Sequence, residues 1–129
     1  MMIESAKPRK QREFRYNAPL HTRQHFLHAH LSKEARQKLG IKARSVQVSK
    51  GDTVKVMVGK KKGSTGKVTA VSLRKNVIYI DSYMKKNAKG KEFGMPINVS
   101  NVYITDLNLA DKVRAAKLRQ QPQAVQEKK

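Results

Sequence analysis

The run Thr53-Val54-Lys55-Val56-Met57-Val58 puts valine at every second position. It ends at Gly59-Lys60-Lys61-Lys62-Gly63-Ser64-Thr65-Gly66, and a second β-type run, Lys67 to Leu73, follows. A period of two marks a half-buried strand, so this stretch must fold as strand, tight loop, strand. A third run, Val77-Ile78-Tyr79-Ile80-Asp81, comes after a short basic turn. Asn87 to Gly90 has turn chemistry, and short strands are expected around Phe93 and over Val102 to Thr105. About five short strands joined by tight basic loops predict a mainly β chain built as a small antiparallel barrel. Its core should be Val54, Val56, Val68, Val71, Ile78 and Ile80.

The flanks read differently. Met1 to Arg15 is polar and charged, is interrupted by Pro8, and offers little to bury, so it is expected to be disordered on its own. Asn17-Ala18-Pro19 resembles a helix start, and Leu20, Leu27 and Leu31 would then form a thin apolar stripe on a helix. Ser32 can cap a short helix from Lys33 to Leu39 that Gly40 stops. Ala110 to Gln120 is expected to be a last helix with Asp111 near its positive end. Beyond it, Pro122 and the Gln/Lys-rich end should fray. The domain reading is a basic N-terminal extension with short helices over 1–45, the barrel over 46–107, and a C-terminal helix and tail over 108–129.

Charge narrows the function. The 129 residues carry 29 Lys and Arg against 9 Asp and Glu, a net +20. The excess is spread out: 11 basic against 3 acidic residues in 1–44, 12 against 4 in 45–109, and 6 against 2 in 110–129. A chain that is basic throughout suits a polyanionic partner that surrounds it, and nucleic acid is the first candidate. There is no cysteine, which excludes disulfides and thiolate metal sites and fits a reducing compartment. No apolar run approaches the roughly 20 residues that span a bilayer. Met1 to Arg15 has no apolar core of the secretory type. The expected location is the cytoplasm, with no membrane partner.

Several motifs invite sharper chemistry. Gly66-Lys67 invites a phosphate-binding-loop reading, but Lys61 stands where the first glycine belongs and Val68 where Ser or Thr should meet magnesium. The segment also precedes a strand rather than a helix, so nucleotide hydrolysis is not expected. His21, His25, His28 and His30 cluster within ten residues, and His21 and His25 could share a helix face. No Cys or carboxylate completes a closed site, so no metal is expected. Phe14, Tyr16 and Phe26 could stack on bases or pack on the protein. No Ser, Asp or His arrangement matches a catalytic group with its base, so no catalysis, cofactor or small-molecule substrate is expected.

The loop itself carries a resemblance. Gly51-Asp-x-Val-x-Val-x-x-Gly59 followed by Gly66-Lys-Val-x-x-Val71 resembles the KOW motif, a strand–loop–strand piece of SH3-like barrels in ribosomal proteins and transcription elongation factors. Met95-Pro96-Ile97-Asn98-Val99-Ser100-Asn101-Val102 resembles the Pro-Ile-His-x-Ser-Asn-Val signature of one universal large-subunit ribosomal protein family, numbered twenty-four in bacteria and twenty-six in eukaryotes. Asn17-Ala18-Pro19-x-His21-x-Arg23 and Leu31-Ser32-Lys33-Glu34-x-Arg36-Gln37-Lys38 resemble the N-terminal extension of its archaeal and eukaryotic branch. The short C-terminal tail favours an archaeal member. Asn98 departs from the pattern by replacing the usual His, and three consecutive loop lysines exceed the charge of many relatives.

The resemblance implies an SH3-like KOW barrel. It implies binding to large-subunit rRNA early in assembly, neighbouring large-subunit proteins as further partners, and a place beside the exit of the nascent-peptide tunnel. The rival is a transcription-elongation KOW module that contacts RNA polymerase; it would need neither so basic a surface nor arms at both ends. RNA contact is expected first from the extension: Arg9, Lys10, Arg12 and Arg15, then Asn17, Pro19, His21 and Arg23, then Arg36 and Arg44. On the barrel it is expected from Lys50 and from the loop residues Lys60, Lys61, Lys62 and Gly63. Lys67, Arg74, Lys85 and Lys86 follow, with Ser100 and Asn101 in the signature. Exposed N–H groups beside ammonium groups make a natural phosphate site.

Overall fold

A computed structural model describes residues 5–119. The expected fraying around Pro122 lies outside those residues. In chain order the elements are helix α1 (Pro8–Asn17), helix α2 (Leu20–Phe26), strand β1 (His28–Leu31), helix α3 (Lys33–Leu39), strands β2 (Ser45–Gln47), β3 (Thr53–Val56), β4 (Thr65–Ser72), β5 (Val77–Ile80), β6 (Met84–Lys86), β7 (Glu92–Gly94) and β8 (Ile97–Asn98), a 3₁₀ turn (Val99–Asn101), strand β9 (Val102–Asp106) and helix α4 (Lys112–Arg119). The chain is mainly β. Seven strands share one sheet in the order β2-β1-β9-β3-β4-β5-β8, while β6 and β7 form a separate hairpin.

The central strands cannot lie flat. From β9 to β8 there are four strand spacings, about 19 Å in a flat sheet. Yet Asn98 and Val102 are joined only by the 3₁₀ turn, and four residues reach at most about 14 Å. The sheet therefore curls until β8 returns toward β9. β4 makes the bend: its first half pairs with β3, its second with β5, and its register shifts between Val68 and Ala70. The result is the small SH3-like barrel. Its buried residues include Val54, Val56, Val68, Ile78, Ile80, Ile97, Val99, Val102 and Ile104. The same cluster extends through Leu27, Ala29, Leu31, Ala35, Val46 and Leu118.

Several local expectations change. Pro8–Asn17 is helical rather than disordered. Proline suits a first turn, the following residues are mostly good helix formers, and Lys10 pairs with Glu13 one turn on, at 3.0 Å. None of its side chains is buried. The helix expected from Asn17 to Leu31 is short, because His28–Leu31 is a strand that pairs antiparallel with β2 and parallel with β9. Leu27 and Leu31 are buried as expected, but Leu20 is 58% exposed; tertiary pairing overrides the helical spacing. Asn17 ends α1, and Pro19 stands at the N-cap position of α2 without a side-chain capping bond. Ser32 does cap α3, accepting from the Ala35 N–H at 3.0 Å, and Gly40 ends it in the left-handed conformation. The strand at Phe93 is real but sits outside the barrel, whose fifth strand is Ile97–Asn98. Val58 leaves the alternation and is 60% exposed.

Gly66 has a different reason from the loop glycines. Gly59 and Gly63 have φ of 99° and 89°, which favours glycine. Gly66 lies in β4 without positive φ. A Cβ there would overlap the Asp81 carboxylate and stand 2.5 Å from Ser82 Oγ and 2.6 Å from Ile80 Cγ2. Asp81 needs that proximity, because its Oδ1 accepts from the Lys67 N–H at 3.0 Å and the Ser82 N–H at 2.6 Å. Gly66→Val should therefore lose about 2–4 kcal/mol of stability by overpacking and by breaking that cap. Thermal unfolding checks this, and an unchanged midpoint would refute the close-approach reading.

Candidate nucleic-acid interface

The folded chain gathers many of the expected RNA-contact residues into two groups. The first surrounds the end of β3. The loop after β3 is closed by the Gly63 N–H donating to Val56 O at 2.8 Å, and the Met57 N–H donates to Asn101 O at 2.8 Å. Ser100 and Asn101 thus border the lysine loop. Lys61 Nζ reaches Ser82 O at 3.2 Å and lies 5.0 Å from the centre of the Tyr83 ring. That ties the loop to the segment leading into the β6–β7 hairpin, where Lys85 and Lys86 are exposed. Lys67 joins this end through its backbone contacts with Asp81. Lys60, Lys62, Lys67 and Lys85 have no acidic partner within 4.0 Å among the described residues, while Lys86 pairs with Glu92 at 3.2 Å.

The second group joins α1 and α2 to the β4–β5 turn, and Arg23 builds it. Its guanidinium donates to Ala18 O at 2.8 Å, to Tyr16 O at 2.6 Å and to Arg74 O at 3.0 Å. Arg23 is therefore a strut, holding exposed Arg74 beside the extension. Arg9, Arg12 and Arg15 are exposed on α1, and Arg15 also stands 5.6 Å over the Phe26 ring. Phe14 and Phe26 pack edge-to-face at 6.1 Å, so these two aromatics join α1 to α2, while Tyr16 is 82% exposed. Asn17, Pro19 and His21 are exposed at the same junction.

Three expected residues belong to neither group. Lys50 sits in the turn before β3, where Asn108 Nδ2 donates to its carbonyl at 3.3 Å. Arg44 and Arg36 lie by β1 and α3, and Arg36 is half-buried. Asn98, standing where the family pattern has His, uses its Oδ1 to accept from the Ser100 N–H at 3.1 Å and Ser100 Oγ at 2.8 Å. It caps the 3₁₀ turn without an imidazole.

The strongest polar assembly was not read from the sequence. Asp52 is fully buried. Arg114 donates to both its oxygens at 2.7 Å, and the Asp52 carboxylate also accepts from the Ser49 and Asn108 N–H groups at 2.8 Å. Arg114 further reaches Asn108 O at 2.8 Å and Gln47 O at 2.9 Å. This network locks α4 onto the barrel. The only sequence signal was the Gly51-Asp52 pair, because nothing local links Asp52 to a residue 62 positions away.

His25 and His28 have ring centres 6.1 Å apart. His28 titrates below its ordinary range, because desolvation in its groove disfavours the cation and His25 repels it. The unfolded chain then binds the proton more readily. Stability from this residue is full above the ordinary histidine range and declines as pH falls through it toward the lowered value. His28→Gln should flatten that decline between about pH 7 and 5, as measured by the unfolding midpoint across pH. An identical pH profile would refute it. Among the described residues no group of three His, Asp or Glu could hold a metal ion, and no helix is long and apolar enough to cross a membrane.

Comparison with known proteins fits this architecture. The chain is 52% identical over 116 residues to the large ribosomal subunit protein uL24 of Methanospirillum hungatei, covering 90% of this chain and 95% of that one. It is 51% identical over 110 residues to the protein of the same name from Methanothrix thermoacetophila, covering 85% and 93%. With that of Methanosarcina barkeri it shares 49% over 115 residues, covering 89% and 97%. The profile of the ribosomal protein family described as L26 in eukaryotes and L24 in archaea matches residues 5–121. The barrel, its flanking helices and the match over nearly the whole chain lead to one conclusion: this chain belongs to that family of eukaryotic L26 and archaeal L24 ribosomal proteins, whose members are structural components and not enzymes.

Proposed function

We propose that the chain binds large-subunit rRNA as a structural and early-assembly protein of the cytoplasmic ribosome, beside the exit of the nascent-peptide tunnel and in contact with neighbouring large-subunit proteins. The observation that supports it most is the pair of exposed cation groups held on rigid supports. The lysine loop is anchored through Lys61, and Arg74 is held to the extension through Arg23. Exposed like charges gathered on one chain oppose folding of the free protein and gain energy against a polyanion. The barrel, residues 46–107, acts as a positioner. The extension, 1–45, and the C-terminal segment, 108–129, enlarge the contact. Fixed cations with few free base-reading side chains favour recognition of RNA shape over base edges.

Sedimentation of cell lysate in high magnesium tests this reading. The protein should travel with the large subunit and be released by RNA digestion. Co-migration with RNA polymerase instead would overturn it in favour of an elongation module. Omission from a stepwise large-subunit reconstitution should stall it at an early particle; a normal early particle would remove the assembly role.

A further inference from the structure

A groove of about 440 Å³ opens between α2, β1 and β2 on one side and α4 on the other. That volume lies within the ~300–1,000 Å³ range of sites that enclose small organic groups. Its floor is apolar, formed by Val46 and Leu118, both buried. Gln24, Gln47, Ser45 and Ser49 add hydrogen-bonding groups to its lining, and His25 and His28 form one wall. Lys117 stands opposite, with no acidic partner within 4.0 Å among the described residues, whereas the charge of Arg114 is already matched by Asp52. Asp111 is the acidic residue of the lining, and its Oδ1 accepts from the Val113 N–H at 2.9 Å.

We infer that this groove receives one unpaired nucleotide of the bound RNA, its base lying on Val46 and Leu118 and its phosphate meeting Lys117 and His25. The inference rests on the RNA-binding reading and adds a single-strand site to it. An apolar floor, polar groups for a base edge, and one uncompensated lysine at the mouth together match a nucleotide better than a bare anion. A bare anion would not use the apolar floor. A base within an A-form duplex is stacked and cannot enter. The negative charge of an arriving phosphate would favour the protonated form of His28, opposing the lowering that desolvation and His25 cause.

The test uses the full chain and follows histidine-ring, methyl and lysine side-chain NMR signals. A short single-stranded oligouridylate should move the His25, His28, Val46 and Leu118 signals. A blunt RNA duplex and inorganic tripolyphosphate should leave the two methyl groups in place. Val113→Trp, at a 63% exposed residue of the lining, should block the groove and weaken single-strand binding about tenfold. Lys117→Gln, a milder variant, should lower the salt slope by about one contact. Unmoved Val46 and Leu118 signals with the single strand would overturn the inference. So would equal movement with duplex or tripolyphosphate. If the signals of Lys60 and Lys62 still respond to an rRNA fragment, only the groove is wrong; if they too are silent, RNA binding itself fails.

Discussion

Asp52→Ala should lower stability by about 3–5 kcal/mol, because it leaves the Arg114 guanidinium buried without a counter-charge. Both Arg114 donors to Asp52 are 2.7 Å long, and its side chain is only 13% exposed. A loss of that size is a large fraction of the roughly 5–15 kcal/mol that holds a typical domain together. For a chain of this length it should lower the unfolding midpoint by about 10–20 °C. Arg114→Ala should cost a similar amount by leaving the carboxylate exposed to the same imbalance, although Ser49 and Asn108 N–H groups still serve Asp52 in that variant.

The double variant separates pairing from packing. Asp52→Ala with Arg114→Ala should cost clearly less than the sum of the two single losses, since no buried charge is then left alone. Replacing the pair with Leu and Met should not restore full stability. The Ser49 and Asn108 N–H groups would still be stranded, at about 1–3 kcal/mol each. An Asp52→Ala midpoint within about 2 °C of the parent would show that the network is dispensable. α4 would then be held by Leu118 and by the Arg114 bonds to the Gln47 and Asn108 carbonyls.

What the sequence showed and what it hid divide along a physical line. Periodicity and turn chemistry are local, so β3, the glycine loop, β5, the Ser32 cap and the Gly40 stop could be read from neighbouring residues. Strand β1 could not, because His28–Leu31 is extended by pairing with strands far along the chain. Its leucine spacing fits a helix equally well. The role of Gly66 also needed three dimensions, since the groups that crowd it come from residues 80–82. At the candidate interface, charge alone identified the lysine loop and the basic extension. It could not tell exposed Lys60 from Lys61, which folds onto Ser82 and Tyr83, or show that Arg23 points at three carbonyls.

That difference between neighbouring lysines sets up the largest effect on binding. Affinity for the rRNA fragment should fall by about 10³–10⁵ between roughly 50 and 200 mM salt if 6–10 phosphates are neutralised. Exposed Lys60, Lys62, Lys67, Lys85, Arg74, Arg9, Arg12 and Arg15 are enough to supply that number. Lys60→Ala with Lys62→Ala should reduce the slope of log affinity against log salt by up to about two contacts. It should leave thermal unfolding within about 0.5 kcal/mol of the parent, because neither lysine has an acidic partner within 4.0 Å among the described residues. Lys61→Ala should behave differently. It removes the Ser82 carbonyl contact and the stacking over Tyr83, so it should cost about 0.5–1.5 kcal/mol of stability and loosen the loop. Its salt slope should change by at most one contact. Filter binding across salt, run beside thermal unfolding on the same variants, reads both effects. A flat salt response in the parent would sink the electrostatic account altogether. An unchanged slope in the Lys60/Lys62 double variant would make the loop a solvated turn and move phosphate contact to the Arg74 and α1 group.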